Sequence, residues 1–115
     1  MDERLEKAFQ TVNLMTTLAN QKRLALEEYT QSCIFYTNGC SFSVNRELIS
    51  FVKNLIDLKV DTIVLLDDNS IPFEVKDLKL FLDDILAIYF ESSNAYMTKI
   101  AEIKKKRKIQ DLVDL

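Results

Sequence analysis

Gly39 and Pro72 are the single glycine and the single proline of this 115-residue chain. Glycine and proline are the strongest local breakers of helices and strands, so long stretches here are free to run on as regular structure. Neither occurs between Asp2 and Gln31. Apolar residues recur in that stretch at steps of three and four: Leu5, Ala8, Val12, Met15, Ala19, Leu26 and Tyr29, with Lys22 the one interruption. The spacing predicts a helix of about eight turns. Leu14, Leu18 and Ala25 fall outside the seam and widen the apolar arc to about 220°, broad for a helix with one buried side.

The glycine sits in "CIFYTNGCSFSV", two short runs around Asn38-Gly39. Asn-Gly is the strongest short-range signal for a two-residue type I′ hairpin, because both turn positions need positive φ. Such a turn pairs Thr37 with Cys40, Tyr36 with Ser41, Phe35 with Phe42, Ile34 with Ser43 and Cys33 with Val44. Alternation then puts Cys33, Phe35, Phe42 and Val44 on one apolar face. Gly39 is therefore a bend and not a backbone cradle beside a reactive thiol.

Asn45 is a good helix cap, with Glu47 in the first turn and Val44 and Ile49 placed to form a hydrophobic staple. Leu48, Phe51, Val52 and Leu55 give that helix an apolar face, running to about Lys59. A second hairpin follows in "TIVLLDDNSIPFEV": Thr62 to Leu66, a turn at "DDNS", and a return from Ile71 to Val75. Leu66 opposite Ile71 and Val64 opposite Phe73 would form its apolar face. Pro72 cannot donate to a ladder, which places the return strand at an edge or with that position facing out.

From Lys76 onward a third helix is expected, with the seam Leu78, Leu82, Ile85, Tyr89, Tyr96, Ile100 and Ile103, broken at Ser92 and Lys99. Phe81, Leu86, Ile88, Phe90 and Met97 widen its arc to about 200°. The tail, residues 109–115, ends in a last turn or frays. The expected class is α+β, in the order α–ββ–α–ββ–α. Its length suits one domain over residues 1–115, with helices covering a small antiparallel sheet.

The residue inventory excludes much familiar chemistry. With no histidine, the commonest acid/base group near neutral pH and the commonest metal ligand are missing. Two cysteines cannot complete a four-ligand zinc site by themselves, and one glycine rules out the glycine-rich nucleotide and phosphate loops. The expectation is a non-enzyme with no cofactor and no metal. No apolar run exceeds the six residues of "ILAIYF", against about 20 for a bilayer span. The start, "MDERLEK", is acidic where a secretory signal is basic and then apolar, so no membrane partner and a cytoplasmic setting are expected.

Four features remain as candidate sites. Cys33 and Cys40 lie on one face but four ladder positions apart, up to roughly 13 Å, against ~7 Å between Cα atoms for a disulfide. They read as small buried residues. Asp67 and Asp68, with Glu74 across the hairpin, form a carboxylate group that suits magnesium or acid/base work, although the same residues are ordinary turn chemistry. "KKKRK", Lys104, Lys105, Lys106, Arg107 and Lys108, is the largest charge block. Residues 99–108 carry six cations and one acid, which leaves a net −8 on the rest of a chain whose total is −3. That block could contact nucleic-acid phosphates, oppose an acidic patch, or simply cap the carbonyl end of a helix. No aromatic is interleaved with it, so base stacking is not suggested.

The broad apolar arcs say most. Burial on a small sheet leaves apolar helix surface near water, and soluble monomers rarely expose patches above a few hundred Å². Either the helices pair within one chain or they pack on another copy, with a symmetric dimer the commonest outcome. The positions expected to carry self-association are Leu5, Val12, Met15, Leu18, Leu86, Tyr89, Phe90 and Tyr96.

The "LLDDN…P" hairpin, the "DL…FLDDIL" helix start, "YFESSNAYM" and the "KKKR" end resemble small proteins of large tailed bacteriophages, marine myoviruses in particular. With "NGCSFSVNRELISFV", the resemblance covers roughly residues 36–107. It implies a virus-encoded structural, assembly or accessory protein in the host cytoplasm or the virion, with other phage proteins as further partners. None of these motifs has a catalytic meaning, so no functional residue is carried over.

Overall fold

The computed structural model describes the backbone of residues 2–113 and the side chains of residues 2–108. Seven elements follow the expected order: α1 (Glu3–Ser32), β1 (Ile34–Thr37), β2 (Cys40–Ser43), α2 (Arg46–Asp57), β3 (Ile63–Leu66), β4 (Pro72–Val75) and α3 (Leu78–Val113). The class is α+β with two β-hairpins. The chain divides into two compact units, Thr30–Asn94 on one hand and Met1–Tyr29 with Ala95–Leu115 on the other. α3 does not stop near residue 109 but continues to Val113, and residues 114–115 lie outside the described part.

The first hairpin has the register that Asn38-Gly39 dictates, from Ile34 opposite Ser43 to Thr37 opposite Cys40. Asn38 and Gly39 have φ of 48° and 79°, the two positive values of a type I′ turn. A Cβ on Gly39 would meet nothing within 4 Å, so glycine is there for its backbone freedom and not for close approach. Cys40, Phe42 and Val44 are buried together in the core, Cys33 is buried as well, and both thiols are free.

The second hairpin differs by one residue from its expected register. Leu66 lies opposite Pro72 and Leu65 opposite Phe73, not Leu66 opposite Ile71. The cause is the turn. Asp67 N–H donates to Ile71 O and Ser70 N–H to Asp67 O, with Ser70 at φ 63°, so the loop closes on the Asp67/Ile71 pair with three residues between. A one-residue slip exchanges the faces of one strand. Ile63, Leu65, Phe73 and Val75 thus face the core, while Val64 and Leu66 are exposed. Pro72 takes a pair position next to the loop-closing one, where a narrow antiparallel ladder makes no N–H bond.

α2 is capped as expected, with Asn45 Oδ1 accepting from Leu48 N–H at 2.8 Å. Its inner face is Leu48, Ile49, Val52, Leu55 and Ile56; Phe51, assigned to that face from the spacing, is exposed because it lies about 100° around the helix from the fully buried Val52. The helix ends with Lys59 N–H bonded to Ile56 O and Val60 N–H to Leu55 O, a Schellman turn in which Lys59 takes φ 63°. Asp77 caps α3, its Oδ1 accepting from Leu80 N–H at 3.1 Å.

The core of unit Thr30–Asn94 gathers Phe42, Val44, Val52, Val75, Leu78, Phe81 and Ile85. Phe81 meets Phe35 and Phe42 edge-on, at centroid distances of 5.7 and 5.5 Å. In the other unit, Leu18 and Ala25 of α1 pack on Ile103 of α3, flanked by Leu14, Tyr96 and Ile100. The rings of Tyr29 and Tyr96 lie 5.1 Å apart. The α1 seam read from the sequence is thereby corrected: Leu5, Val12, Met15 and Leu26 are exposed, and the flanking positions 14, 18 and 25 make the intramolecular contact.

Candidate functional site

The four strands form two separate two-stranded sheets, not the single small sheet expected. In the first hairpin, Ser41 and Ser43 occupy pair positions whose N–H groups point away from β1. Asp67 and Asp68 fill that edge. Asp67 Oδ2 accepts from Ser41 N–H at 3.0 Å, and Asp68 N–H donates to Ser41 O at 2.8 Å. Asp68 then takes Ser43 twice, from N–H at 3.0 Å and from the hydroxyl at 2.9 Å. Two aspartates thus stand where a third strand would have bonded.

Asp67 also holds its own turn. Its Oδ1 accepts from Asn69 N–H at 2.9 Å and Ile71 N–H at 2.7 Å. The residue is only 6% exposed. Burial acts to raise its pKa, but the amides of Ile71, Ser41 and Asn69 outweigh that and hold the carboxyl below its ordinary value. Three donors already converge on this carboxylate, which leaves it poorly placed to ligate a cation. Among the described residues, no group of three or more Cys, Asp or Glu side chains comes together to hold a metal, so Glu74 does not complete a site with the aspartate pair.

The basic block lies near the end of α3, and Lys104, Lys105, Lys106, Arg107 and Lys108 are all exposed. None forms an ion pair with a described residue; the pairs present are Arg23–Glu27 and Lys53–Asp57. Five consecutive residues wind once around a helix, so two or three at most can face one surface. Lys105 and Lys108 share the side away from Ile103.

The self-association positions separate into two groups. Leu18 is buried in its own unit, Tyr96 stacks near Tyr29, Tyr89 packs on the core of its own unit, and Leu86 is half-buried. Phe90 is exposed. Leu5, Val12 and Met15 are 47%, 59% and 59% exposed, and Phe9, missed by a walk in steps of three and four that passed through Ala8, is 52% exposed. A helical wheel would have found it, since Phe9 lies about 40° from Leu5. Thr16 extends the same stripe; its hydroxyl is turned back onto Val12 O at 2.9 Å, so its methyl is left to the surface. Every described residue of α1 before Leu14 is exposed, so no described residue covers this stripe.

No helix among the described residues is long and apolar enough to cross a membrane. Comparison with protein-family models, curated proteins and solved structures finds no match to this chain.

Proposed function

We propose that this chain is a non-enzymatic protein that assembles with copies of itself through the exposed apolar stripe of α1, as a structural, assembly or accessory component. One observation carries the reading. Leu5, Phe9, Val12 and Met15 form a continuous row on the surface of α1 that no described residue covers. A row of that kind loses free energy to water at roughly 25 cal/mol per Å², which a second copy would recover. A closed dimer is the simplest arrangement. The residues best suited to chemistry support a non-enzymatic role, because Asp67 and Asp68 are committed to backbone amides and both thiols are buried. The resemblance to phage proteins supports a virus-encoded setting, in the host cytoplasm or the virion.

Light scattering on a size-exclusion column tests the reading. The expected mass is a multiple of 13.4 kDa at micromolar concentration, and Val12→Asp or Phe9→Asp lowers it without loss of helical signal. A wild-type chain that stays monomeric across that concentration range would sink the proposal. Val12 is a better probe than Tyr89, whose ring is already engaged in its own core.

A second reading rests on the exposed Lys104–Lys108 block, without an ion pair among the described residues, as a nucleic-acid contact. It expects salt-sensitive binding of labelled DNA or RNA that weakens when these lysines become glutamine. Binding absent at both low and moderate salt ends it.

A further inference from the structure

Within unit Thr30–Asn94, a groove of about 320 Å³ opens between β1 and β4, with the first turns of α3 as its floor. Phe35, Phe73 and Phe81 line it, and Glu74, Asp77 and Asp84 bring three carboxylates to it against one cation, Lys76. Asp77 is occupied as the cap of α3. Glu74 and Asp84 have no ion pair or side-chain hydrogen bond among the described residues. An aromatic slot edged by free carboxylates suits a long basic side chain. The methylene stem lies along the rings, and the cation meets the ring faces and the carboxylates.

We infer that the groove is a docking site for the basic end of α3 from a second copy of this chain. Charge complementarity carries the choice of occupant. The chain concentrates +5 in residues 99–108 and holds a net −8 elsewhere, and the five cations at 104–108 are exposed without partners among the described residues. Lys105 and Lys108, one turn apart on the side of α3 away from Ile103, are the pair presented for insertion. The contact joins two different surfaces. Each copy therefore offers one groove and one exposed helix end, and the contact propagates unless it closes into a ring. The inference rests on the self-association proposed above and adds a second contact, separate from the α1 stripe.

Two full-length variants test it by complementation: Glu74→Lys with Asp84→Lys, and Lys105→Glu with Lys108→Glu. Each alone should associate at least ~tenfold more weakly than wild type at low salt, as expected when like charges face one another. An equimolar mixture should regain a complex, because each variant then meets a surface of opposite sign. Should the reversals disturb folding by circular dichroism, Glu74→Gln with Asp84→Asn and Lys105→Gln with Lys108→Gln replace them, each expected to weaken association. Wild-type association in both variants overturns the groove contact, as does a mixture that associates no more tightly than either variant alone. If Val12→Asp weakens association while the charge variants do not, self-association stands and the groove fails. Loss of nucleic-acid binding at unchanged mass in the Lys105/Lys108 variant also overturns the groove, in favour of the phosphate reading.

Discussion

The two units are built from the same kinds of residue but close their cores to different degrees. In Thr30–Asn94, two hairpins, α2 and the start of α3 converge, and Val52 and Ile85 are fully buried. In the other unit, one stretch of α1 meets one stretch of α3, and among the described residues burial is limited to Leu18, Ala25 and Ile103. Two helices in contact bury one side of each, whereas several elements around one centre can enclose a side chain completely. The turns show the same contrast. All the described positive-φ residues, Asn38, Gly39, Lys59 and Ser70, belong to the first unit. A helical pair whose α1 flank no described residue covers, in contrast to the closed core of the first unit, is what makes α1 the natural place for a partner.

The largest expected effect is on the closed core. Phe81→Ala removes a ring that meets two others edge-on, and it should cost about 3–5 kcal/mol in a urea titration. Ile103→Ala, at the centre of the helical pair, should cost about 2 kcal/mol, because half-exposed Leu14, Tyr96 and Ile100 can settle into the space. Amide exchange should speed up chiefly along α1 and the later turns of α3. Equal losses for the two substitutions would remove the contrast between the cores.

A third prediction concerns Asp67, which holds the hairpins to one another. Its folded pKa lies below the ordinary carboxylate value, so its contribution is complete above that ordinary value and is lost as pH falls through the folded pKa. Asp67→Asn places an amide NH₂ among three backbone donors and should destabilise the protein at pH 7. The gap between variant and wild type should shrink on acidification below about pH 4. A gap that stays constant down to pH 2 would mean that the carboxylate is not what the amides hold.

Sequence patterns located every element, and the first hairpin was legible to the residue because Asn-Gly fixes both turn type and register. The second was not. Ser70 takes positive φ without being glycine, so nothing at that position announced a three-residue loop, and the faces of the strands were misassigned through Val64 and Leu66. The α1 seam failed for a different reason. Apolar residues cover so much of the helix that periodicity alone could not say which part meets α3 and which stays uncovered. Leu14, Leu18 and Ala25 were visible, but only as a flank. The groove at Phe35, Phe73 and Phe81 was hidden because its residues come from three elements far apart in the chain. The part played by Asp67 and Asp68 at the edge of β2 was hidden likewise, since a turn sequence does not reveal which strand it will reach.

The smallest effect should be a gain. Lys59 ends α2 in the left-handed region, where a Cβ costs roughly 1–2 kcal/mol. Lys59→Gly removes that strain but returns about 0.5–1 kcal/mol of backbone entropy to the unfolded chain. The net should be a stabilisation of up to about 1.5 kcal/mol, seen as a higher urea midpoint at unchanged slope. Amide exchange should slow only in Thr30–Asn94, because the Schellman bonds from Lys59 to Ile56 and from Val60 to Leu55 lie wholly within it. A loss instead of a gain would show that the lysine stem contributes packing worth more than the strain of its backbone. Slower exchange across α1 as well would show that the two units open together, and the difference between their cores would then not govern how the molecule unfolds.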